Sequence, residues 1–399
     1  MTFGFGPPLP SLRHGTLDYE QAGYGGSLQG QQWLGDPDGG ILITAGAAYR
    51  NDYFDILRDR TETHAITSLI FPTKYFPEST VTETGVYLQA ELQLGRLTFV
   101  PGVRYDRFAL DANQGDPVFI ASLAPEAADF SDSAVSPKIG VAAQLTDEFT
   151  LHAQYSGGFR APPYSAINTG FTNPRGGYTT LPNPNLRAET SQNLEVGVRA
   201  AFDRASLDLT AFSNRYDDFI ESTSLGVNPV TRLLEFQSQN LEEAEINGIE
   251  LRGEAYLSDS VMVRGSYARI DGAEIFRDVA VPALAQETPL GEIAPNEGVL
   301  GLRYVRPSGL WGSELSVRLV ESYQHGSEEQ FAPQAYQVVD LVGFVSLADG
   351  LTFRVGLLNL TDSKYFEWWN VRGRLPNDPV IDRYSSPGIS VVGSLGYDW

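Results

Sequence analysis

The chain has no cysteine and only two methionines, Met1 and Met262. Without thiols there is no disulfide framework, no thiolate zinc site and no iron–sulfur cluster. Positive charge is scarce as well. Against 50 Asp and Glu stand 28 Lys and Arg, a net charge of −22, which repels nucleic acid and other polyanions. No stretch approaches the ~18 consecutive apolar residues of a membrane helix, because Gly, Arg or Glu interrupts every apolar run. A helical membrane protein is excluded. The N-terminal MTFGFGPPLPSLRHG lacks the basic start and apolar stretch of a secretory signal, so either the chain stays inside or its beginning lies upstream.

What the 399 residues do have is 40 glycines, 24 prolines, 11% aromatics and a persistent period of two. Phe149, Leu151, Ala153 and Tyr155 alternate with Thr150, His152, Gln154 and Ser156. Leu194, Val196 and Val198 alternate with Glu195, Gly197 and Arg199, and Ile249, Leu251 and Ala255 with Glu250, Arg252 and Glu254. Such alternation puts one set of side chains on each face of a strand. About 15 segments carry it, starting near Leu17, Ile41, Thr80, Leu97, Val135, Phe149, Gln192, Ser206, Arg232, Val261, Glu297, Gly312, Tyr336, Leu351 and Gly388. Ten alternating residues at ~3.3 Å each, tilted, match the ~25 Å apolar band of an outer-membrane barrel.

The connections alternate in length. Short ones lie at Gly35 to Gly40, Gly95-Arg96, Thr146 to Glu148, Asp203-Arg204, Ser258 to Ser260, Arg306 to Leu310 and Ala348 to Gly350. Long ones separate them, among them Asp59 to Glu78, Gly157 to Ser191 and Thr361 to Pro387. In an antiparallel sheet every second connection lies on the same rim, so all short turns fall on one side and all long loops on the other. The expectation is an all-β, antiparallel transmembrane β-barrel. Its apolar face meets lipid, while Glu91, Glu195, Arg199, Glu250, Arg252, Glu254, Arg264, Arg318 and Arg354 line a wide lumen. Tyr53, Tyr105, Phe108, Tyr304 and Trp311 suit an interfacial aromatic girdle. The last strand alternates up to Tyr397 and Trp399, an aromatic terminus that resembles the assembly signal read by the barrel assembly machinery.

Four segments carry a family resemblance. QYSGGFRAPPYSAIN and NPNLRAETSQNLEVGV resemble the paired boxes of TonB-dependent outer-membrane receptors. The stretch Phe236 to Leu257 resembles their "N-x-x-x-A-x-I-x-G-x-E" strand, and Gly356 to Gly373 resembles the segment before their final strand. The "FRAP" and "NPNL" pair and the Trp-rich segment ending in "VRG" look most like the branch that takes heme or iron from hemoglobin and other host iron proteins. The resemblance implies a receptor in a Gram-negative outer membrane, with heme, a hemoprotein or a ferric siderophore as transported ligand and no cofactor of its own. It also implies a barrel of 22 strands around an N-terminal plug that engages TonB. About 15 strands and no plug are expected here, residues 1–399 being a partial barrel that reaches TonB only through the missing plug region.

The implied ligand loops are built by Phe159, Arg160, Ala161 and Pro162 at one end and Asn183, Pro184, Asn185 and Leu186 at the other. Pro162-Pro163 forces an extended exit and the Asn-Pro pair a turn-rich return, so both boxes also have a purely architectural explanation. In the hemoprotein branch the intervening loop usually holds a heme-ligating histidine. Pro163 to Pro182 holds none, which leaves Tyr164 and Tyr178 as its familiar side-chain ligands for ferric heme. His64 and His325 fall on other long loops within reach of an incoming ligand. No metal site of the protein's own is expected. A siderophore receptor, a plugless passive pore and a truncated non-transporting fragment are the competing readings. An enzyme is not expected: His152 and Ser156 share a face, but four residues along a strand span ~13 Å, too far for a catalytic hydrogen bond.

Overall fold

The computed structural model describes residues 13–35, 39–62, 71–122, 127–173, 177–240, 243–276, 286–291, 293–324 and 330–397. In chain order the strands begin with β1 (Arg13–Leu34), β2 (Ile41–Glu62), β3 (Ser79–Leu94), β4 (Leu97–Ala112), β5 (Phe130–Gln144), β6 (Phe149–Arg160), β7 (Phe171–Asn173) and β8 (Tyr178–Leu181). There follow β9 (Glu189–Phe202), β10 (Ala205–Asp217), β11 (Ile220–Val227), β12 (Leu234–Asn240), β13 (Glu243–Tyr256) and β14 (Val261–Phe276). The last six are β15 (Gln286–Pro289), β16 (Glu297–Val305), β17 (Trp311–Val320), β18 (Tyr336–Ala348), β19 (Leu351–Leu358) and β20 (Ser390–Tyr397). Helix is confined to single turns, α1 (Pro117–Ala121), α2 (Tyr164–Asn168) and α3 (Trp368–Val371), with a 3-10 turn at Ile381–Tyr384. No described helix is long and apolar enough to cross a membrane.

Two sheets result. A wall of antiparallel strands runs in the order β1-β2-β3-β4-β5-β6-β9-β10-β13-β14-β16-β17-β18-β19-β20, with β15 added to β14. A separate four-stranded sheet, β11-β12-β8-β7, is built from two of the long loops. The wall is not closed, since among the described residues β1 and β20 each pair on one side only.

The register explains why these sequences choose this architecture. Arg199 of β9 faces Asp208 of β10, which in turn faces Arg252 of β13, so charged positions of neighbouring strands share one face. Arg199 and Asp208 pair at 2.8 Å, Arg318 and Glu297 at 2.8 Å, and Arg264 binds Glu314 from two strands away. The opposite face exposes large apolar side chains along the whole wall, among them Leu28, Leu88, Val135, Leu194, Ile249, Leu300 and Val391. A soluble sheet buries such a face; here no second layer of described residues covers it. The buried apolar clusters lie instead on the inner face near the long-loop rim: Phe54, Ile56, Phe76, Val81, Phe108, Leu110, Ile167 and Leu186 form one, and Ala244, Leu290 and Ile293 another.

Two local expectations are corrected. The segment expected to start a wall strand near Arg232 is split: Leu234–Asn240 belongs to the small sheet as β12, and the wall strand begins at Glu243. The inner-face parity of β4, shared by Phe108, Leu110 and Ala112, removes Phe108 from the outward girdle and buries it against Phe130, ring centroids 6.0 Å apart. Tyr304 and Trp311 do pack together on the outer face, 5.0 Å apart, one on each side of a short turn. Tyr397 pairs with Leu351 and is exposed. Trp399, His64 and His325 lie outside the described residues.

Candidate functional site at the long-loop rim

The first box leaves the wall at the end of β6. Phe159 pairs with Thr190 and Arg160 with Glu189 across to β9. Arg160 Nη1 lies 3.3 Å from Glu189 Oε2, and the buried Glu189 accepts the Ile220 N–H through Oε1 at 2.7 Å. The box arginine therefore ties β6 to β9 and, through Glu189, to the start of β11. Pro162 is fully buried and Pro163 extended, φ −60° and ψ 142°, so α2 is directed back over the lumen instead of out of it. Ala161, Phe159 and Tyr164 pack on the rim cluster, and Ile167 has no exposed surface at all. Asn168, also buried, both accepts from the Ala128 N–H at 2.8 Å and donates to its carbonyl at 2.9 Å. That satisfies a polar side chain which would otherwise destabilise the buried turn.

The second box is the return. Asn183 accepts the Asn185 N–H at 3.0 Å, which closes the turn, and donates to the Ser238 carbonyl of β12 at 2.9 Å. Pro184 and Asn185 are exposed, whereas Leu186 is buried in the same cluster as Ile167. Arg187 pairs with Asp218 and accepts support from Asn240, whose Oδ1 takes the Arg187 N–H at 2.8 Å. Phe159, Ala161 and Leu186 thus meet in one cluster, while Asn183 reaches the small sheet.

The two candidate tyrosines part company. Tyr164 stacks on Phe54 (4.2 Å, 20°), meets Phe76 edge-on at 5.0 Å and hydrogen-bonds Tyr19 through its hydroxyl at 3.1 Å. Burial, reinforced by the Tyr19 hydroxyl, pushes the Tyr164 phenol well above the usual range and keeps it protonated. Tyr178 sits in the small sheet between Phe171 (6.0 Å) and Phe236 (6.2 Å). Phe171 in turn meets Tyr75 at 4.7 Å, and the Arg58 guanidinium lies 5.4–5.8 Å from Phe71, Tyr75 and Phe171, a spacing at which cations are attracted to ring faces.

Beneath α2 lies a lumenal pocket of about 710 Å³. Its apolar side is formed by Phe54, Val81, Phe108 and the box from Phe159 to Tyr164, its polar side by Arg50, Asp52, Arg104 and Asp106. Arg50 and Asp52 pair at 2.5 Å and Arg104 and Asp106 at 2.6 Å, so the polar side carries little net charge. A concave site with an apolar roof and a few fixed charges is of the size that holds a small organic ligand.

Sequence reasoning missed one rim feature. Lys74, almost fully buried, places Nζ 2.7 Å from Asp55 and 2.7 Å from Asp116, with Glu78 at 3.5 Å. The three carboxylates are close enough to bind a cation together, and the lysine ammonium supplies that cation. Burial by itself would raise the Asp116 carboxyl, but Lys74 and the Phe119 and Glu78 N–H groups outweigh it and hold Asp116 below the usual carboxylate range. No motif signals the cluster, because its members come from β2, from the loop before β3 and from the cap of α1.

Comparison with known proteins bears on what such a rim serves. The hemoglobin-haptoglobin utilization protein B of Neisseria meningitidis serogroup C is 27% identical over 331 residues, 72% of this chain and 40% of that protein. Hemoglobin-binding protein A of Haemophilus influenzae is 27% identical over 275 residues, 61% of this chain and 26% of that protein. The chain spans less than half the length of these curated relatives. Among solved structures, the copper transporter OprC superposes with a TM-score of 0.74 at 18% identity, over 96% of this chain and 57% of that one. The Serratia marcescens hemophore receptor HasR, in complex with its hemophore and heme, superposes with a TM-score of 0.69 at 16% identity, over 96% and 59%. At such identities the structural likeness speaks for the fold. The family model described as TonB dependent receptor-like, beta-barrel matches residues 3–360, and the chain belongs to that family.

Proposed function

We propose that the chain is the barrel part of an outer-membrane receptor that captures heme or a heme-bearing host protein at its long-loop rim and passes the ligand inward when energised through TonB. The observation that carries this reading is the relatives: those matched over 61–72% of the chain are named for binding or using hemoglobin and its haptoglobin complex. The exposed apolar outer face supports a lipid-embedded wall, since no layer of described residues covers it. The lumenal pocket under the first box supports a bound ligand and non-covalent capture; binding of this kind needs no nucleophile or general base. Phe159 to Pro162 and Asn183 to Leu186 would shape the mouth, and Tyr164 and Tyr178 would contact the ligand. Of the two phenols, Tyr178 is the stronger candidate for iron ligation, because Tyr164 is held neutral by burial.

The test is binding of hemin, hemoglobin and a panel of ferric siderophores to the chain refolded in detergent, followed by absorbance. The expected result is saturable hemin binding with a Soret shift that Tyr178→Phe removes and Tyr164→Phe only weakens. Saturable binding of a siderophore alone would overturn the heme reading and leave the receptor architecture in place.

A further inference from the structure

The hairpin of β11 and β12 presents an anomaly. Elsewhere the exposed large apolar side chains are mostly on the outer face of the wall, where lipid is available to cover them. This hairpin belongs to the small sheet, none of whose strands pairs with a wall strand among the described residues. Its tip nevertheless exposes Leu225, Val227 and Val230, the last 87% exposed.

The tip is also firmly built. A bulge between Ser224 and Gly226, with Gly226 at φ 89°, turns the strand. Asn228 then accepts from the Val230 N–H at 2.9 Å and the Thr231 N–H at 3.1 Å, and donates to Glu235 at 2.7 Å. Its backbone carbonyl takes the Arg232 N–H at 2.9 Å, while Arg232 itself is held at φ 62°. A turn this fully hydrogen-bonded fixes where its side chains point, so the apolar group is displayed and not merely left over. Beside it the exposed Arg232 makes no ion pair among the described residues, in a chain whose net charge is −22.

We infer that the β11–β12 tip is a knob that docks a folded protein, with Val227 and Val230 entering an apolar cleft and Arg232 meeting carboxylates at its border. The inference rests on the hemoprotein reading above and names the surface by which the protein part of that ligand is held. Size and charge choose the occupant. Three side chains cover far less than the ~800 Å² per partner of a stable interface, so the knob is one anchor of a larger contact and not a site complete in itself. A cation set beside the apolar group calls for a carboxylate-bordered cleft, which a folded protein surface offers. The β12–β8 pairing, Leu234 with Tyr178, makes the knob a rigid extension of the loop between the two boxes.

Because the chain has no cysteine, Val230→Cys provides a single thiol for an environment-sensitive dye. On the full chain in detergent, hemoglobin is expected to shift the dye emission and slow thiol labelling, and hemin alone to do neither. The triple variant Val227→Ser, Val230→Ser, Arg232→Glu should raise the hemoglobin Kd at least ten-fold while hemin affinity stays within two-fold. If hemoglobin binds the triple variant as it binds the unaltered chain, the knob is wrong and the hemoprotein reading stands. Equal loss of hemin and hemoglobin would make the tip part of the heme site and overturn docking. An unaltered chain that binds hemin or a siderophore but not hemoglobin overturns the partner named here.

Discussion

A single lysine decides how the long-loop rim is held. Lys74 is about 5% exposed and Asp116 about 2%, and the pair at 2.7 Å is shared with Asp55. Lys74→Met leaves the carboxylates of Asp55, Glu78 and Asp116 close together without their cation, two of them in a poorly hydrated site, which costs about 3–5 kcal/mol. The segment from Thr73 to Phe76 carries Phe76 against Tyr164, so its loosening should reach the first box. Limited proteolysis of the refolded variant should cut the loop before β3 first, and Lys74→Met combined with Asp116→Leu should recover part of the loss. Acid acts through the same residues. Asp116 is depressed in the folded state, so its contribution is present above its unfolded pKa of about 4 and disappears as pH falls through the lower folded value. None of this was legible in the sequence, where Lys74 is one cation in a loop and its partners lie in other segments. The boxes were legible as motifs. What could not be read was that Arg160 is engaged with Glu189, a pairing set by the β6–β9 register and not by spacing along the chain.

At the scale of elements, the wall was readable and the small sheet was not. Alternation is local, and a strand with one apolar and one polar face announces both its existence and its orientation; the inner-face parity of Arg199, Arg252 and Arg264 follows from it directly. The small sheet depends on a parallel pairing of β12 with β8, segments separated by the whole of β9, β10 and β11, and no short-range pattern encodes that. The same non-local origin explains why Leu234–Asn240 looked like the beginning of a wall strand. The joint between the sheets carries its own prediction. Glu274 stands at the loop end of β14, beyond the last β14–β16 pair at Ala268, and meets Glu221 of β11. Burial first, then the hydrogen bond and charge of Glu221, push its carboxyl up to about 7. A raised folded value means that the stabilising protonated pair is fully present below the ordinary glutamate pKa of about 4.5 and is lost as pH rises through 7. Amide protection in Ile220–Val227, with exchange rates corrected for their intrinsic base-catalysed rise, should therefore fall between pH 6 and 8, and Glu274→Gln should remove that fall. Protection factors that stay flat with pH in the unaltered chain would rule out a shared proton at this joint.

The whole wall ends in two free edges, and the bilayer sets their energy. Among the described residues β1, 22 residues long, pairs only with β2, and β20 only with β19. Half of the backbone N–H and C=O groups of β1 therefore point away from the sheet, and each such group left unpaired in hydrocarbon costs several kcal/mol. Long unpaired edges template further pairing wherever a strand is available. Among the described residues β1 and β20 do not pair with each other, so the sheet is not closed on itself to meet that need. Reconstituted alone into vesicles, the chain is expected to pair edge to edge between copies. Gly30→Cys on β1 and Gly393→Cys on β20, both on the outer face with room for a Cβ, supply the thiols for the measurement, since the chain has none of its own. Oxidation should give covalent dimers and higher species whose yield rises with protein-to-lipid ratio. A disulfide formed within one copy, independent of that ratio, would show that the wall closes by itself and that the open sheet is not its form in lipid.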